Sequence, residues 1–224
     1  IPMLKTMFGP LAALAMLATP GAAFAQAVDE ALKDSRDEDA IAETVSTRTY
    51  PTVSFDQSVK PENIWVLDLS NGERVKIRLM EEWAPKHVER IKTLTGQGFY
   101  DGVVFHRVID NFMAQTGDVQ YGKMGGDMRM AGRGGSNRPD LPAEFSDINY
   151  DRGVVGMARS QNPNSANSQF FIMFAPGPFL NGQYTVVGQV TDGMDVVDAI
   201  KRGTGQNGAV VGQPDMMKKV SVTE

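Results

Sequence analysis

Cysteine is absent from the 224-residue chain, and histidine occurs only at positions 87 and 106. Without cysteine, disulfide frameworks, cysteine nucleophiles and thiolate metal sites are excluded. Because a zinc site would then depend on carboxylates, we expect neither a metal centre nor a cofactor. An excess of basic residues is missing as well, since 22 Lys and Arg accompany 27 Asp and Glu. This balance disfavours nonspecific contact with phosphate backbones, and we expect no nucleic-acid partner.

No apolar run approaches the roughly 20 residues that a membrane-spanning helix needs. The run near the N-terminus covers only residues 11–18; Lys5 precedes it, and a Pro-Gly pair and the small residues Ala23 and Ala25 follow it. This order is typical of a secretory signal peptide, here residues 1–25. The sequence therefore predicts a secreted, periplasmic protein with no membrane association after cleavage.

Residues 26–60 contain few large apolar side chains. Between Asp29 and Glu43 there are seven acidic and two basic residues, a local charge of −5 that equals the net charge of the whole chain. Such a segment buries too little apolar surface to offset the entropy lost on ordering, so we expect a flexible, solvated arm. An acidic segment that recruits a partner is the alternative.

Residues 61–224 have the pattern of a single β-rich domain. An apolar run at 64–67, the Asn71-Gly72 pair and strict alternation over 74–79 predict a β-hairpin. The hairpin places one apolar face toward a core.

Two helices are predicted, from Pro85 to Gly96 and from Gly193 to Arg202, because apolar residues recur there at helical spacing. Further runs of β-branched and aromatic residues predict strands at Val103–Val108, Val154–Met157, Phe170–Phe174, Val186–Val190 and Val220–Val222. Many short strands with only two helices favour a sandwich or a closed barrel.

Two glycine-rich segments do not fit nucleotide sites. Residues 203–208 match G-x-G-x-x-G by letter, but they follow a predicted helix and lead into a loop, so we interpret the match as chance. Residues 122–135 lack the G-K-[ST] ending of a P-loop, and we expect a long, mobile surface loop there.

His87 lies beside the apolar face of the first helix, where a partly buried or surface histidine is expected.

Two segments combine polar and apolar side chains in an unusual way. In residues 105–118 (FHRVIDNFMAQTGD), an arginine and a glutamine share strand faces with Ile and Met. In residues 166–173 (ANSQFFIM), alternation places Gln169, Phe171 and Met173 on one face. A core with satisfied polar groups would explain either segment alone. Together they indicate a groove with an apolar floor and a fixed cation at its edge.

These two segments resemble those of the cyclophilins, a family of peptidyl-prolyl cis-trans isomerases. Residues 105–118 match the signature F-H-R-x-I-x-x-F-M-x-Q-x-G-D at every fixed position. Residues 156–190 resemble the second block of the family, with S-Q-F-F-I and L-x-G in register. The likeness runs from about residue 63 to the C-terminus. It implies that residues 61–224 form a mainly β fold, a closed eight-stranded antiparallel barrel capped by two α-helices.

The resemblance also implies roles for individual residues. Arg107 corresponds to the catalytic arginine, and Gln115 to the glutamine that orients it. The expected catalytic residues are Arg107, Phe112 and Gln115. The residues expected to bind substrate are Met113, Gly132, Ala158, Arg159, Gln169, Phe171, Phe179, Leu180 and Tyr184. Of these two groups, Phe112, Met113, Phe171 and Leu180 are expected to receive the proline ring.

Three of these positions depart from the usual family residues. Phe179 stands where cyclosporin-sensitive members usually have tryptophan, so we expect weak cyclosporin binding at most. Tyr184 replaces a common histidine, and Arg159 replaces a common asparagine, both as in bacterial members. None of these changes touches the arginine and glutamine of the signature.

The implied activity is rotation about X-Pro peptide bonds, which assists the folding of exported proteins. No bond is made or broken in this reaction, so no nucleophile is required. The expected partners are unfolded or proline-containing polypeptides, and we expect a monomer. The alternative is a binding module or chaperone with the same fold, which holds proline-containing segments and turns them over only incidentally.

Overall fold

The computed structural model describes residues 51–52 and 59–223. The predicted signal peptide, and the predicted arm apart from residues 51–52 and 59–60, lie outside the described residues. Within the described ranges, no helix is both long enough and apolar enough to cross a membrane.

In this part of the chain, nine strands form one sheet, and every pairing is antiparallel. The strands are β1 (Ile64–Leu69), β2 (Arg74–Leu79), β3 (Val103–Val104), β4 (Arg107–Ile109), β5 (Met113–Thr116), β6 (Val154–Met157), β7 (Phe170–Met173), β8 (Val186–Asp192) and β9 (Met216–Val222). Their order across the sheet is β3-β9-β1-β2-β8-β6-β7-β5-β4. The prediction of a mainly β fold is confirmed.

The predicted closed barrel of eight strands needs correction. The sheet has nine strands, and it is open because its two edge strands, β3 and β4, do not pair with each other. The segment predicted as one strand, Val103–Val108, is divided at Phe105 and His106. The Phe105 N–H donates to the carbonyl of Asp215, and the His106 carbonyl accepts from Val210. These two residues therefore bond to the loop before β9 and not to a neighbouring strand.

The strands β4, β5 and β7 have two chemically different faces. Val108, Ala114 and Ile172 belong to the main hydrophobic core. Residues on either side of them in sequence point to the opposite face, because side chains alternate along a strand. The opposite face carries the polar and aromatic side chains singled out in the sequence.

The first helix, α1, spans Pro85–Gly96, the bounds predicted from the sequence. Proline suits the first helical position because it lacks an N–H that would need an acceptor. Val88, Ile91 and Leu94 are fully buried and pack into the main core. The apolar stripe therefore fixes α1 against the sheet.

The prediction of a partly buried or surface His87 is wrong, since its side chain is fully buried. Its Nδ1 lies 2.6 Å from Glu144 Oε2. The Glu144 carboxylate also accepts the backbone N–H groups of Lys86 and His87, at 3.2 and 3.1 Å. A partner brought from a distant loop allows this imidazole to be buried. Burial lowers the pKa of His87, and Glu144 acts against this shift.

The second helix, α2, spans Met194–Asp198 and is shorter than predicted. The Arg202 guanidinium donates to the carbonyls of Asp198 and Ile200, at 2.8 and 2.6 Å. The Asp215 carboxylate accepts the N–H of Lys201 at 2.8 Å. After α2, side chains thus form the hydrogen bonds with backbone groups that further helical turns would otherwise have formed.

Candidate active site

Strand register brings three of the predicted site residues into one row. Arg107 on β4 is paired with Gln115 on β5, and Gln115 is paired with Phe171 on β7. All three are almost completely buried, with Arg107 6% exposed, Gln115 3% and Phe171 1%. The row lies on the face opposite to the main core. It places a cation, an amide and an aromatic ring side by side.

The guanidinium of Arg107 is held on two sides. Its Nε donates to the backbone carbonyl of Asn207 at 2.8 Å, and its Nη1 donates to Gln115 Oε1 at 3.4 Å. Its positive charge also acts on Tyr184: burial raises the pKa of the Tyr184 hydroxyl, and Arg159 and Arg107 oppose that rise. The planar fork of Arg107 is therefore fixed beside the aromatic side chains.

The loop that holds Arg107 is the G-x-G-x-x-G segment, 203–208. The Gly203 N–H donates to the Val108 carbonyl, and the Val108 N–H donates to the Gly208 carbonyl, both at 2.8 Å. The segment packs beside β4 and supplies the acceptor for Arg107. Sequence reasoning missed Asn207, because its backbone carbonyl lies 100 positions from Arg107 and no side-chain pattern marks it.

A second series of hydrogen bonds leads away from Gln115. Its Nε2 donates to Gln169 Oε1 at 3.0 Å. Gln169 Nε2 in turn donates to the carbonyls of Gly132 and Gly134, at 3.0 and 2.8 Å. The segment 122–135, expected to be a mobile surface loop, is therefore bound to the site at its end, because its carbonyls are the acceptors of a site side chain.

Apolar side chains form a second hydrophobic cluster, separate from the main core and next to this row. The predicted site residues in it are Phe112, Met113, Ala158, Phe171, Leu180 and Tyr184, with Phe179 packed against it. The rings of Phe112 and Phe179 have centroids 5.5 Å apart. The cluster gives the site an aromatic and aliphatic surface.

A cleft of about 420 Å³ adjoins the row and has polar walls. Gln115 and Gln169 line it together with residues 132–135 and with Ala158 and Arg159. The structure thus brings all twelve predicted residues to one face of the sheet, either in the hydrogen-bonded series, in the apolar cluster or along the cleft. Their roles remain predictions.

Arg159 has a fixed position at the border between the cleft and the apolar cluster. Its guanidinium carbon lies 4.4 Å from the centroid of the Tyr184 ring. Its Nε and Nη2 donate to the Gln183 carbonyl, at 3.1 and 2.9 Å. Two residues that depart from the common family pattern are therefore in contact, as a cation over an aromatic face.

His106 is a buried residue next to the site, in contact with Gly132, and the sequence predicted no role for it. Burial lowers the pKa of His106 to about 4, while the charge of Asp118 opposes this shift and that of Arg107 adds to it. The ring is consequently neutral at neutral pH. It closely approaches Gly132, where an added Cβ would lie 3.0 Å from the imidazole.

We expect the free energy of unfolding to decrease as the pH falls from about 6.5 to about 4. The unfolded chain protonates His106 in this range and the folded protein does not, so the unfolded state binds more protons. The contribution of His106 reaches about 3 kcal/mol at most. Urea unfolding between pH 8 and pH 4 measures it.

His106→Gln serves as the control for this pH dependence. The variant should show a shallower decrease over the same range, because the titrating ring is gone while the carboxylates remain. An identical slope in both proteins would contradict the assignment.

The fold and the site together define the class of protein. The family model "Cyclophilin type peptidyl-prolyl cis-trans isomerase/CLD" matches residues 66–222. The chain therefore belongs to the cyclophilin family, as its two signature segments predicted.

Named relatives specify the activity. The chain is 59% identical over 164 residues to a Brucella suis protein named "Probable peptidyl-prolyl cis-trans isomerase". The matched region covers 72% of this chain and 83% of the relative. It is 40% identical over 138 residues to "Peptidyl-prolyl cis-trans isomerase-like 1" of Aspergillus fumigatus, and the matched region covers 59% of this chain and 78% of that relative. The protein is a peptidyl-prolyl cis-trans isomerase, and the prediction of this enzyme class is confirmed.

Solved structures agree with this assignment. A cyclophilin from Hirschia baltica has a TM-score of 0.61 and 26% identity, over 74% of this chain and 76% of the other. A cyclophilin-type isomerase from Cryptosporidium parvum, crystallised in the presence of the dipeptide Ala-Pro, has a TM-score of 0.60 and 25% identity. That likeness covers 72% of this chain and 99% of the other.

Proposed function

We propose that this isomerase uses Arg107 to accelerate rotation about X-Pro bonds in exported polypeptides. The observation that carries the proposal is the guanidinium of Arg107, which two hydrogen bonds hold at the edge of an apolar cluster. A cation in this position is suited to a reaction whose transition state gains a hydrogen-bond acceptor.

Rotation about the peptide bond destroys its resonance, which costs about 18–20 kcal/mol. At the twisted geometry, the prolyl nitrogen becomes pyramidal and carries a lone pair. An arginine, which stays charged at any working pH, donates a hydrogen bond to that lone pair. Because the planar amide offers no such acceptor, this bond stabilises the transition state over the ground state. Arg107 is the catalytic residue in this scheme.

The other predicted residues hold the substrate. The proline ring packs against Phe112, Met113, Phe171 and Leu180. This apolar surface excludes water and strengthens the field of the neighbouring guanidinium. Gln115 keeps the fork of Arg107 in place, because its Oε1 accepts from Nη1. The ring is held while the rest of the amide turns.

The peptide chain beside the proline lies along the polar cleft, where Gly132, Ala158, Arg159 and Gln169 contact it. Unfolded or proline-containing polypeptides fit such an open groove, and a monomer suffices because one chain supplies the whole site. Phe179 and Tyr184 border the apolar surface. Without tryptophan at position 179, cyclosporin should bind weakly at most.

Phe112→Ala should raise the KM for an X-Pro peptide by about 10- to 100-fold, because an apolar contact worth about 1.5–3 kcal/mol is removed. The value of kcat should change less, since the guanidinium stays in place. Steady-state kinetics on the peptide measures both. The control is Phe145→Ala, since Phe145 is 43% exposed and lies outside the apolar cluster. Equal effects of the two substitutions would contradict the assignment of Phe112.

The signal-like residues 1–25 support a role in folding exported proteins in the periplasm. In a Gram-negative host that expresses the full chain, the protein should appear in the periplasmic extract. Its intact mass should correspond to a chain that begins at Gln26. A cytoplasmic protein that retains residues 1–25 would overturn the export proposal and leave the enzyme assignment untouched.

The decisive test of the proposed function is cis–trans exchange of a short Ala-Pro peptide, followed by NMR. The protein from Gln26 onward should accelerate exchange. If the peptide binds and exchange stays at the uncatalysed rate, the alternative of a binding module or chaperone replaces the isomerase mechanism.

A further inference from the structure

We propose that Asp118 is a positioning residue for the isomerase reaction, acting on Arg107 through the glycine-rich loop and two glutamines. The proposal rests on the proposed catalytic role of Arg107. Asp118 lies two residues after the end of β5, and its side chain is fully buried. It lies outside both the apolar cluster and the row of residues that face the substrate.

The Asp118 carboxylate accepts four backbone N–H groups. Oδ1 accepts from Gln120 at 3.0 Å and from Tyr121 at 2.9 Å. Oδ2 accepts from Gly132 at 2.7 Å and from Gly134 at 3.0 Å. Hydrogen bonds to a charged acceptor are shorter and stronger than neutral ones. One buried side chain therefore joins the segment after β5 to the glycine-rich loop, at Gly132 and Gly134, which lie 14 and 16 residues further along the chain.

The two glycines fixed by Asp118 also present their carbonyls to Gln169. Gln169 Oε1 then accepts from Gln115, whose own Oε1 accepts from Arg107 Nη1. Each amide in this series is oriented at both ends. Asp118 is thus the buried end of a continuous series of hydrogen bonds that leads to the guanidinium.

Glycine is required at both loop positions for this arrangement. A Cβ on Gly134 would lie 2.6 Å from Asp118 Oδ1, and Gly132 has a φ of +89° and approaches the His106 ring. The loop can contact the carboxylate this closely only because these side chains are absent. The glycines near the end of the 122–135 segment therefore reflect packing onto Asp118 and His106.

Asp118→Asn should lower kcat about tenfold, with KM changed less than about twofold. The amide has one carboxamide oxygen in place of two acceptors, and its NH2 group must face either the two loop N–H groups or those of Gln120 and Tyr121. The loop then shifts, and the shift reaches Arg107; a displacement of about 1 Å at a catalytic group can cost up to about 100-fold. Exchange kinetics on an Ala-Pro peptide measures kcat and KM.

A matched control is Asp101→Asn. The Asp101 carboxylate also accepts a backbone N–H, that of Val220 at 2.8 Å, but its side-chain partner is Lys219, which is not part of the series of hydrogen bonds from Asp118 to Arg107. This variant should keep wild-type kcat and KM. A general effect of losing a loop carboxylate would lower the activity of both variants equally and would overturn the proposal.

A double-mutant cycle separates positioning from a structural effect. In an Arg107→Ala background, Asp118→Asn should cause no further loss of the residual exchange, because Arg107 is the group through which it acts. An additional tenfold loss in that background would overturn the proposal. If Arg107→Ala itself keeps full activity, the proposed function fails first, and with it the basis for the role of Asp118.

A second variant keeps the proposal testable if Asp118→Asn does not fold, which thermal unfolding will show. Gln169→Met removes the link between the loop and Gln115 and leaves the carboxylate intact. Its kcat should fall about tenfold, and this loss should vanish in the Arg107→Ala background. An unchanged kcat in Gln169→Met would show that the series transmits nothing to Arg107.

Discussion

Arg107→Ala should lower kcat/KM for X-Pro isomerisation by about 100- to 1000-fold, the loss typical of removing one donor aimed at a transition-state charge. Peptide binding should change little, because the apolar cluster and the cleft remain intact. Exchange spectroscopy gives the rate, and titration of the same peptide gives the affinity. The two measurements on one variant separate transition-state stabilisation from ordinary binding.

Two further substitutions support the interpretation of this result. Arg107→Lys should recover little activity, because one ammonium group cannot reach both the Asn207 carbonyl and Gln115 with the geometry of a planar fork. Arg74→Ala is the matched control, since Arg74 is more than half exposed and pairs with Asp68 at the surface. Retention of full activity in Arg107→Ala would refute the mechanism.

Gly203→Ala should lower kcat/KM about 100-fold and also reduce the free energy of unfolding by about 2 kcal/mol or more. A Cβ at this position would lie 1.8 Å from the Gly208 carbonyl oxygen, so the loop 203–208 must open. The opening displaces the Asn207 carbonyl, which accepts from Arg107 Nε. Kinetics and urea unfolding on the same sample measure the two effects.

Gly96→Ala provides the control for this substitution. Gly96 is the last residue of α1, and an added Cβ there meets nothing within 4 Å. Activity should be unchanged, and stability should rise slightly, because alanine favours the helix by up to about 1 kcal/mol. A Gly203→Ala protein with wild-type kinetics would show that the loop does not position Arg107.

Local signals account for the parts of the fold that the sequence predicted well. The hairpin of β1 and β2 and the bounds of α1 follow from a two-residue turn, strict alternation and an N-terminal proline. Each of these signals acts within a few residues. β6 at Val154–Met157 also has its predicted bounds, because its run is short and flanked by turn residues.

Partners that are distant in sequence explain what the prediction missed. His87 is buried because Glu144 reaches it, and α2 ends early because Arg202 and Asp215 satisfy the backbone. The division between β3 and β4 depends on the loop before β9. No periodicity within a segment reports such contacts.

In the site, too, local signals were predicted from the sequence and contacts between distant residues were not. Alternation placed Gln169 and Phe171 on one strand face, and the two segments together predicted a groove with a fixed cation at its edge. The family resemblance added the roles of the individual residues. The hydrogen bonds of Gly132 with Asp118, and of Arg107 with the 203–208 loop, stayed outside both kinds of reasoning. A backbone group carries no signature in the sequence, so its role becomes visible only in three dimensions.

The cap of α1 has a consequence for the order of folding events. The residue before the helix, Ala84, makes no capping side-chain bond, and the acceptors for the first N–H groups come from Glu144, 57 and 58 residues later. Closing a loop of that length precedes the capping, so the start of α1 becomes stable only after the chain through position 144 has docked. Weakening this contact should therefore speed unfolding more than it slows refolding, as for interactions that form after the transition state. The lifetime of the native state, and with it resistance to proteolysis, should then depend in part on the Glu144 carboxylate.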